Sequence, residues 1–153
     1  MMHYLKYSLF VVFSLLMLTT SCRKDDPDVI AEKDRKKILD YLAKHELDYT
    51  ELEDGVFVVI EHEGTGGHPH ENSNVRMNYE GMLLDGTLFD AGFNAVLHLG
   101  NTVRGFRIGV MAFKRGGKGL ILIPSALGYG QFPPPGNIPR NAVLVFDVEI
   151  IDF

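Results

Sequence analysis

The spacing of hydrophobic and polar residues changes character twice along this chain, and each change marks a different kind of structure. Residues 9–18 are apolar apart from Ser14. From residue 30 to 45 the spacing is helical: Ile30, Asp34, Ile38, Tyr41, Leu42 and His45 fall near one face, with Asp34 the exception in an otherwise apolar stripe. The start of that helix is marked by Asp26, whose carboxylate can accept backbone N–H groups of the first turn. Pro27 suits the first helical position, and Asp28 complements the positive helix end. From Glu53 onward the pattern shifts to short runs of β-forming residues separated by glycines. Strands are predicted over residues 56–62 and 75–84, and Asp85-Gly86 is a tight-turn signal that leads into residues 87–90 as a hairpin. A short strand over 95–99, one helix over 103–112, a buried strand over 119–124 and a closing strand over 143–152 complete the list. In the closing strand Leu144, Phe146, Val148 and Ile150 share one face, while Asp147 and Glu149 share the other with Val143, Val145 and Ile151. The expected fold is α+β, an antiparallel sheet wrapped on one short helix, with an N-terminal helix outside that domain.

The apolar run at residues 9–18 is too short for a membrane-spanning helix, which needs roughly 20 residues. It follows a short polar start containing Lys6 and ends in Thr19-Thr20-Ser21, small residues directly before Cys22. That is the build of a secretory signal peptide. A lone cysteine after small residues suggests cleavage before Cys22 and lipid attachment to its sulfur, as in bacterial lipoproteins, although Thr19 stands where such proteins usually carry Leu. Arg23-Lys24-Asp25-Asp26 is similar to a tag that sends some Gram-negative lipoproteins to the outer membrane surface. The expected organisation is therefore a signal peptide over 1–21, a lipid-anchored tether and helix over 22–52, and a globular domain over 53–153. The expected location is the bacterial cell envelope, at the outer membrane on its periplasmic or surface face.

Composition narrows the functional classes. With 153 residues, 46% hydrophobic and 23% charged, the chain can bury one core but hardly two. A formal net charge of -5 and the lack of a long basic run argue against nucleic-acid binding. Cys22 is the only cysteine, so no intramolecular disulfide or Cys-based zinc site can form. His62, His68 and His70, with Glu61, Glu63 and Glu71, lack regular metal-ligand spacing and read as solvated loop residues. Gly64-Thr65-Gly66-Gly67 and Gly116-Gly117-Lys118-Gly119 are not phosphate loops, because neither is followed by a Lys-Ser or Lys-Thr pair opening a helix.

Five separated segments carry the functional signal: Asn78-Tyr79-Glu80-Gly81, Asp85-Gly86-Thr87-Leu88-Phe89-Asp90, Val103-Arg104-Gly105-Phe106, Ile123-Pro124-Ser125-Ala126-Leu127-Gly128-Tyr129-Gly130 and residues 138–147, Ile-Pro-Arg-Asn-Ala-Val-Leu-Val-Phe-Asp. Taken together and in this order, they resemble the FKBP-type peptidyl-prolyl cis-trans isomerases, from about Val56 to Phe153. The resemblance implies a half-barrel of antiparallel strands around one short helix. It also implies that Tyr79, Phe89, Phe106 and Phe146 line a proline pocket, with Val103 and Ile138 at its rim and Leu97 in its wall. Tyr129 would offer its hydroxyl to the substrate carbonyl. Asp90 would stand beside the pocket as a polar partner of Tyr79 or of the bound amide, and the backbone N–H of Val103 is a further contact for the peptide. Judged singly, Phe89 and Phe146 would be core aromatics, Tyr79 and Tyr129 strand-edge tyrosines, and Asp90 a turn cap. The ordered set is what distinguishes the readings.

The implied chemistry suits such a pocket. The barrier to rotation about a peptide bond, about 18–20 kcal/mol, comes from amide resonance. An apolar, water-excluding cavity with a fixed donor to the carbonyl oxygen can lower it by binding the twisted form, without proton or nucleophile exchange. No metal or organic cofactor is implied. The expected partners are proline-containing polypeptides, the membrane through the lipid anchor, and macrolide inhibitors. Two other readings use the same chain: a non-catalytic module that holds proline-containing segments, and a surface lipoprotein acting through its N-terminal helix. Phe106 stands where the best-known family members carry Trp, which implies a deeper or reshaped cavity, and Ala95 replaces a frequent aromatic, which implies a thinner wall. The loop Gln131-Phe132-Pro133-Pro134-Pro135-Gly136-Asn137 is expected to cover the site, with Phe132 packed within the loop or, in the alternative reading, touching substrate.

Overall fold

The computed structural model describes residues 26–153. The apolar run at 9–18 and Cys22 lie outside the described residues. Ala31–Phe153 forms one compact unit, and the described part of the preceding unit is the opening of the first helix. That helix, α1 (Pro27–Lys44), is followed by strands β1 (Thr50–Glu51), β2 (Phe57–His62), β3 (Asn74–Leu83) and β4 (Leu88–His98). Helix α2 (Arg104–Val110) and strands β5 (Lys118–Ile123) and β6 (Leu144–Asp152) complete the fold. The strands make one antiparallel sheet in the order β1-β2-β5-β6-β3-β4. At the N-terminus of α1, Asp26 does what its position predicts: its Oδ1 accepts the Asp28 N–H at 3.1 Å, and its carbonyl accepts the Ile30 N–H at 3.0 Å.

Alternation along the strands divides the apolar residues into two layers. On one face Val58, Ile121, Ile123, Leu144, Phe146, Val148 and Ile150 pack with Phe106, Ile108 and Val110 of α2. The helix lies very close to β5. A Cβ added at Gly105 or Gly109 would come within 2.2 Å of the Cγ2 atoms of Ile123 and Ile121, so a side chain there would push α2 off the sheet. On the opposite face Phe57, Val59, Leu122, Val143 and Val145 receive Ile38 and Leu42 of α1. The N-terminal helix thus stands outside the half-barrel while belonging, from Ala31 on, to the same compact unit. The sheet itself begins at Thr50, earlier than the expected boundary at residue 53, because β1 pairs with Val58 and Phe57 of β2.

Helix α1 is anchored by side chains that lose nearly all contact with water, Ile38 being 0% and Leu42 1% exposed. Truncating a fully buried aliphatic residue typically costs about 2–5 kcal/mol. The Ile38→Ala variant is expected to lose that much in denaturant unfolding. A loss below about 1 kcal/mol would mean that the helix does not hold this face in solution.

Strand β4 differs from its prediction. The sequence suggested a hairpin ending at residue 90 and a separate strand over 95–99, whereas β4 runs unbroken from Leu88 to His98. The extra residues are absorbed by a bulge: Met77 pairs with Ala95 and Tyr79 with Gly92, leaving Phe93 and Asn94 unmatched. Asn94 takes a positive φ of 52°, and its N–H is caught by the Asn78 side chain at 2.8 Å. Asparagine tolerates that conformation, so a segment that looks like a break becomes a kink in one strand.

Candidate active site

Three strands and helix α2 bring most of the chemistry-bearing residues together on the face that carries α2. Tyr79 comes from β3, Phe89, Asp90 and Leu97 from β4, Phe106 from α2, and Phe146 from β6. Val103 is the residue before the first turn of α2, so its own N–H has no intrahelical acceptor. Tyr129 follows the short turn Ser125–Leu127. An open-mouthed cavity of about 250 Å³ is lined by Tyr79, Asp90, Leu97, Val103, Phe106, Tyr129 and Phe146, together with Asn101 and Thr102. Its size is just below the roughly 300–1,000 Å³ of pockets for whole small molecules, which suits one ring of a larger substrate.

The walls are an aromatic lattice. Phe106 and Phe146 meet edge to face with centroids 4.7 Å apart, and Tyr79 packs on both at 6.2 and 6.4 Å. Phe89 stands edge-on to Phe146 at 5.6 Å and to Tyr129 at 6.5 Å. Such edge-to-face pairs are the favoured arrangement of aromatic quadrupoles and fix ring positions. Gly81 makes room for them, since a Cβ there would lie 2.8 Å from the rings of both Phe89 and Phe146. Phe106, 3% exposed, closes the floor where a larger ring was the family expectation.

Phe89 and Ile138 sit beside the main cavity, Phe89 in ring contact with Phe146 and Tyr129 of its wall. They line an adjoining hollow of about 200 Å³ with Pro134, Pro135, Asp90 and Tyr129. Phe89 is turned there by its two ring contacts, and Ile138 is carried there by the proline-rich loop. Asp90 and Tyr129 are common to both hollows. Phe132 is 87% exposed rather than packed in its loop, and its N–H donates to the Tyr129 carbonyl. Asn101 and Thr102 are lining residues that sequence reasoning missed. Their only signal is adjacency to Val103, since a short 3-10 turn over Leu99–Asn101 has no hydrophobic period to read.

Electrostatically the cavity is nearly bare. Asp90 is its one carboxylate, and its Oδ2 accepts the Tyr79 hydroxyl at 3.1 Å. The Thr102 hydroxyl is committed to the Leu99 carbonyl at 2.7 Å, and no lining residue pairs a nucleophile with a base. Burial raises the ionisation of Tyr79 above its ordinary value, with further contributions from the Asp90 charge and hydrogen bond. Burial followed by the Asp90 charge does the same for Tyr129. Both phenols therefore keep their protons, and act as donors, throughout the neutral range. A folded-state value raised above the unfolded one, about 10 for tyrosine, gives a contribution fully present below that pH and lost as pH rises through the folded value. Any activity that uses these hydroxyls is expected to be flat from about pH 6 to 9 and to fall only above about pH 10. A titration midpoint near neutrality would point to a different donor.

Two of the three histidines of the 62–70 segment, His62 and His68, are engaged in local structure. His62 Nδ1 accepts the Gly64 N–H at 3.2 Å, and His68 Nδ1 is 3.1 Å from the Met111 carbonyl, while Glu63 is paired with Lys114. A larger, open hollow of about 650 Å³ is walled mainly by polar and charged side chains, Glu61, Glu80, Lys118, Asp147 and Glu149 among them, with no comparable aromatic enclosure.

The family model for FKBP-type peptidyl-prolyl cis-trans isomerases matches residues 66–151, which include every lining residue of the aromatic cavity. The chain belongs to that family. An FKBP-type isomerase, FkpA, from Aeromonas hydrophila is 37% identical over 134 residues, covering 84% of this chain and 49% of the relative. FK506-binding protein 1 of Dictyostelium discoideum is 39% identical and is covered over 98% of its length by 65% of this chain. The chain thus spans about half of the first relative and nearly all of the second. Among solved structures, a peptidyl-prolyl cis-trans isomerase from Pseudomonas syringae superposes with a TM-score of 0.72 at 28% identity, over 84% of this chain and 97% of that one. FkpA from Escherichia coli gives 0.69 at 33% identity, over 80% and 60%. This FKBP-type chain carries α1, β1 and β2 in addition to the matched segment.

Proposed function

We propose that this protein catalyses cis-trans rotation about Xaa-Pro bonds of exported polypeptides and is held at the bacterial cell envelope by a lipid on Cys22. The observation that carries the catalytic reading is the aromatic-walled cavity with two phenol hydroxyls and a single carboxylate at its edge. The pyrrolidine ring enters between Tyr79, Phe106 and Phe146, which exclude water from the amide. As the C–N bond twists, the amide loses resonance and its carbonyl becomes less polar, so an apolar wall favours the twisted form over the planar one. Tyr129 donates its hydroxyl to the substrate carbonyl and the free N–H of Val103 holds the adjacent peptide unit. Asp90 accepts the Tyr79 hydroxyl, which orients that ring in the wall. Nothing covalent is made or broken. The same cavity is the proposed site for macrolide inhibitors; the Dictyostelium relative is named an FK506-binding protein.

The test is magnetisation-exchange NMR on a short Xaa-Pro peptide with the soluble chain from Arg23 onward. Acceleration of the uncatalysed exchange, which takes tens to hundreds of seconds, is the expected result. A folded protein that gave none across several residues before proline would turn the reading to a module that binds proline segments without catalysis.

The envelope location rests on the apolar run at 9–18, the small residues before Cys22 and the solitary cysteine itself. Single acyl chains bind membranes only marginally, so a stable anchor requires more than one. Labelling cells with an alkyne fatty acid is expected to mark the protein, and the Cys22→Ser variant is expected to lose the label and appear in soluble fractions.

A further inference from the structure

The polar interruption in the apolar stripe of α1 has a partner in the active-site loop. Asp34 is 1% exposed and lies between two groups from opposite ends of the chain. Its Oδ2 accepts both the Ser125 N–H at 2.9 Å and the Ser125 hydroxyl at 2.5 Å, while its Oδ1 takes the Lys37 ammonium at 3.1 Å. A buried carboxylate is expensive unless its lone pairs are occupied, and here charge-assisted hydrogen bonds occupy them. Ser125, itself 0% exposed, opens the turn that carries Tyr129. Its carbonyl accepts the N–H groups of Gly128 at 3.1 Å and Gly130 at 2.9 Å, the residues on either side of Tyr129. A continuous chain of hydrogen bonds thus runs from α1 through Ser125 to both peptide flanks of the tyrosine that reaches the cavity.

We infer that Asp34 is a positioning residue for the isomerase site: by clamping Ser125 it holds the Tyr129 hydroxyl at the junction of the two hollows. Asp34 lies outside the segment matched by the family model, residues 66–151, so helix α1 supplies a function to the site that the matched segment does not contain. Packing alone does not require this residue. Ile38 and Leu42 already hold α1 to the sheet, and an apolar side chain at 34 would complete the stripe. A carboxylate is needed only to meet the Ser125 donors. The inference rests on the isomerase reading for its activity consequence, and its geometric content stands apart from it.

The test compares Asp34→Ala and Asp34→Asn with Ile38→Ala, a variant that loosens the same helix without touching Ser125. All are made in the full chain, held in a mild detergent and measured at a temperature where each remains folded by circular dichroism. Fluorine NMR on tyrosine-fluorinated protein reports on Tyr129, whose signal is assigned by its loss in Tyr129→Phe. Asp34→Ala is expected to shift and broaden that signal and to lower kcat/KM about tenfold, equivalent to about 1.4 kcal/mol of transition-state stabilisation. Asp34→Asn, which keeps one acceptor oxygen, is expected to fall between Asp34→Ala and the parent. Ile38→Ala is expected to leave both the signal and kcat/KM unchanged despite lower stability. If the Asp34 variants leave the Tyr129 signal where the parent has it, or lose activity only in proportion to stability as Ile38→Ala does, the inference is overturned. An inactive parent would instead sink the isomerase reading, and the fluorine signal would still decide whether Asp34 positions Tyr129. Should Asp34→Ala not fold, Asp34→Asn carries the same comparison.

Discussion

Replacing Phe89 with Ala and Tyr129 with Phe in one protein is expected to slow catalysed exchange by roughly 30- to 1,600-fold while leaving the fold intact. The estimate combines two losses. Removing an aromatic side chain from a substrate-facing wall forfeits about 1.5–3 kcal/mol of apolar burial on binding. Removing the Tyr129 hydroxyl takes away one hydrogen bond to the carbonyl, about 0.5–1.5 kcal/mol. At about 1.4 kcal/mol per tenfold in rate, the sum gives the stated range. Both side chains are only half-buried and line the hollow they share with Pro134 and Pro135, so the cavity left by the change opens to solvent rather than to the core. Circular dichroism and the unfolding midpoint are expected to stay close to the parent's. A double variant as fast as the parent would show that catalysis does not use this junction.

The largest expected effect on stability comes from Phe146→Ala. Phe146 is 4% exposed and touches Phe89, Phe106 and Tyr79, so its ring is both core and pocket floor. Deleting a buried phenylalanine typically costs about 3–5 kcal/mol. Against a usual domain stability of about 5–15 kcal/mol this is a large fraction. Denaturant unfolding is expected to show a lowered midpoint with an unchanged slope, and exchange catalysis is expected to disappear even where the variant remains folded. The loss has two sources here. The three neighbouring rings lose the partner that fixes their edge-to-face angles, and the cavity gains volume that the proline ring cannot fill. A loss below about 1 kcal/mol would mean that the surrounding rings collapse into the space.

Much of this architecture was legible in the chain because it depends on local period and local chemistry. The alternation of residues 144–150 assigned the two faces of β6 correctly, since a strand cannot present neighbouring side chains to the same side. The Asp26-Pro27-Asp28 signal placed the start of α1, because capping involves only the first turn. The ordered motifs named Tyr79, Asp90, Leu97, Val103, Phe106, Tyr129 and Phe146, which surround one cavity, and of the two partners expected for Asp90 the Tyr79 hydroxyl is bound at 3.1 Å.

What the tertiary structure decided are relations between residues far apart in the chain. The sequence showed breaks around residues 91–95, and only the partner strand, through the Asn78 side chain and the capture of Asn94, turned them into a bulge in a continuous β4. Phe89 was chemically right for the main cavity, yet its edge-on contacts with Tyr129 and Phe146 place it in the neighbouring hollow. Asp34 read as a flaw in an apolar stripe, because nothing within one turn of helix explains a carboxylate there. Its reason lies 91 residues away at Ser125, where the folded chain brings two hydrogen-bond donors to a site buried from solvent. Period and composition fix which residues are buried and in what kind of element. Which buried polar groups meet is settled only when separate elements close on each other, since a hydrogen bond depends on positions to within an ångström and no local pattern carries that information.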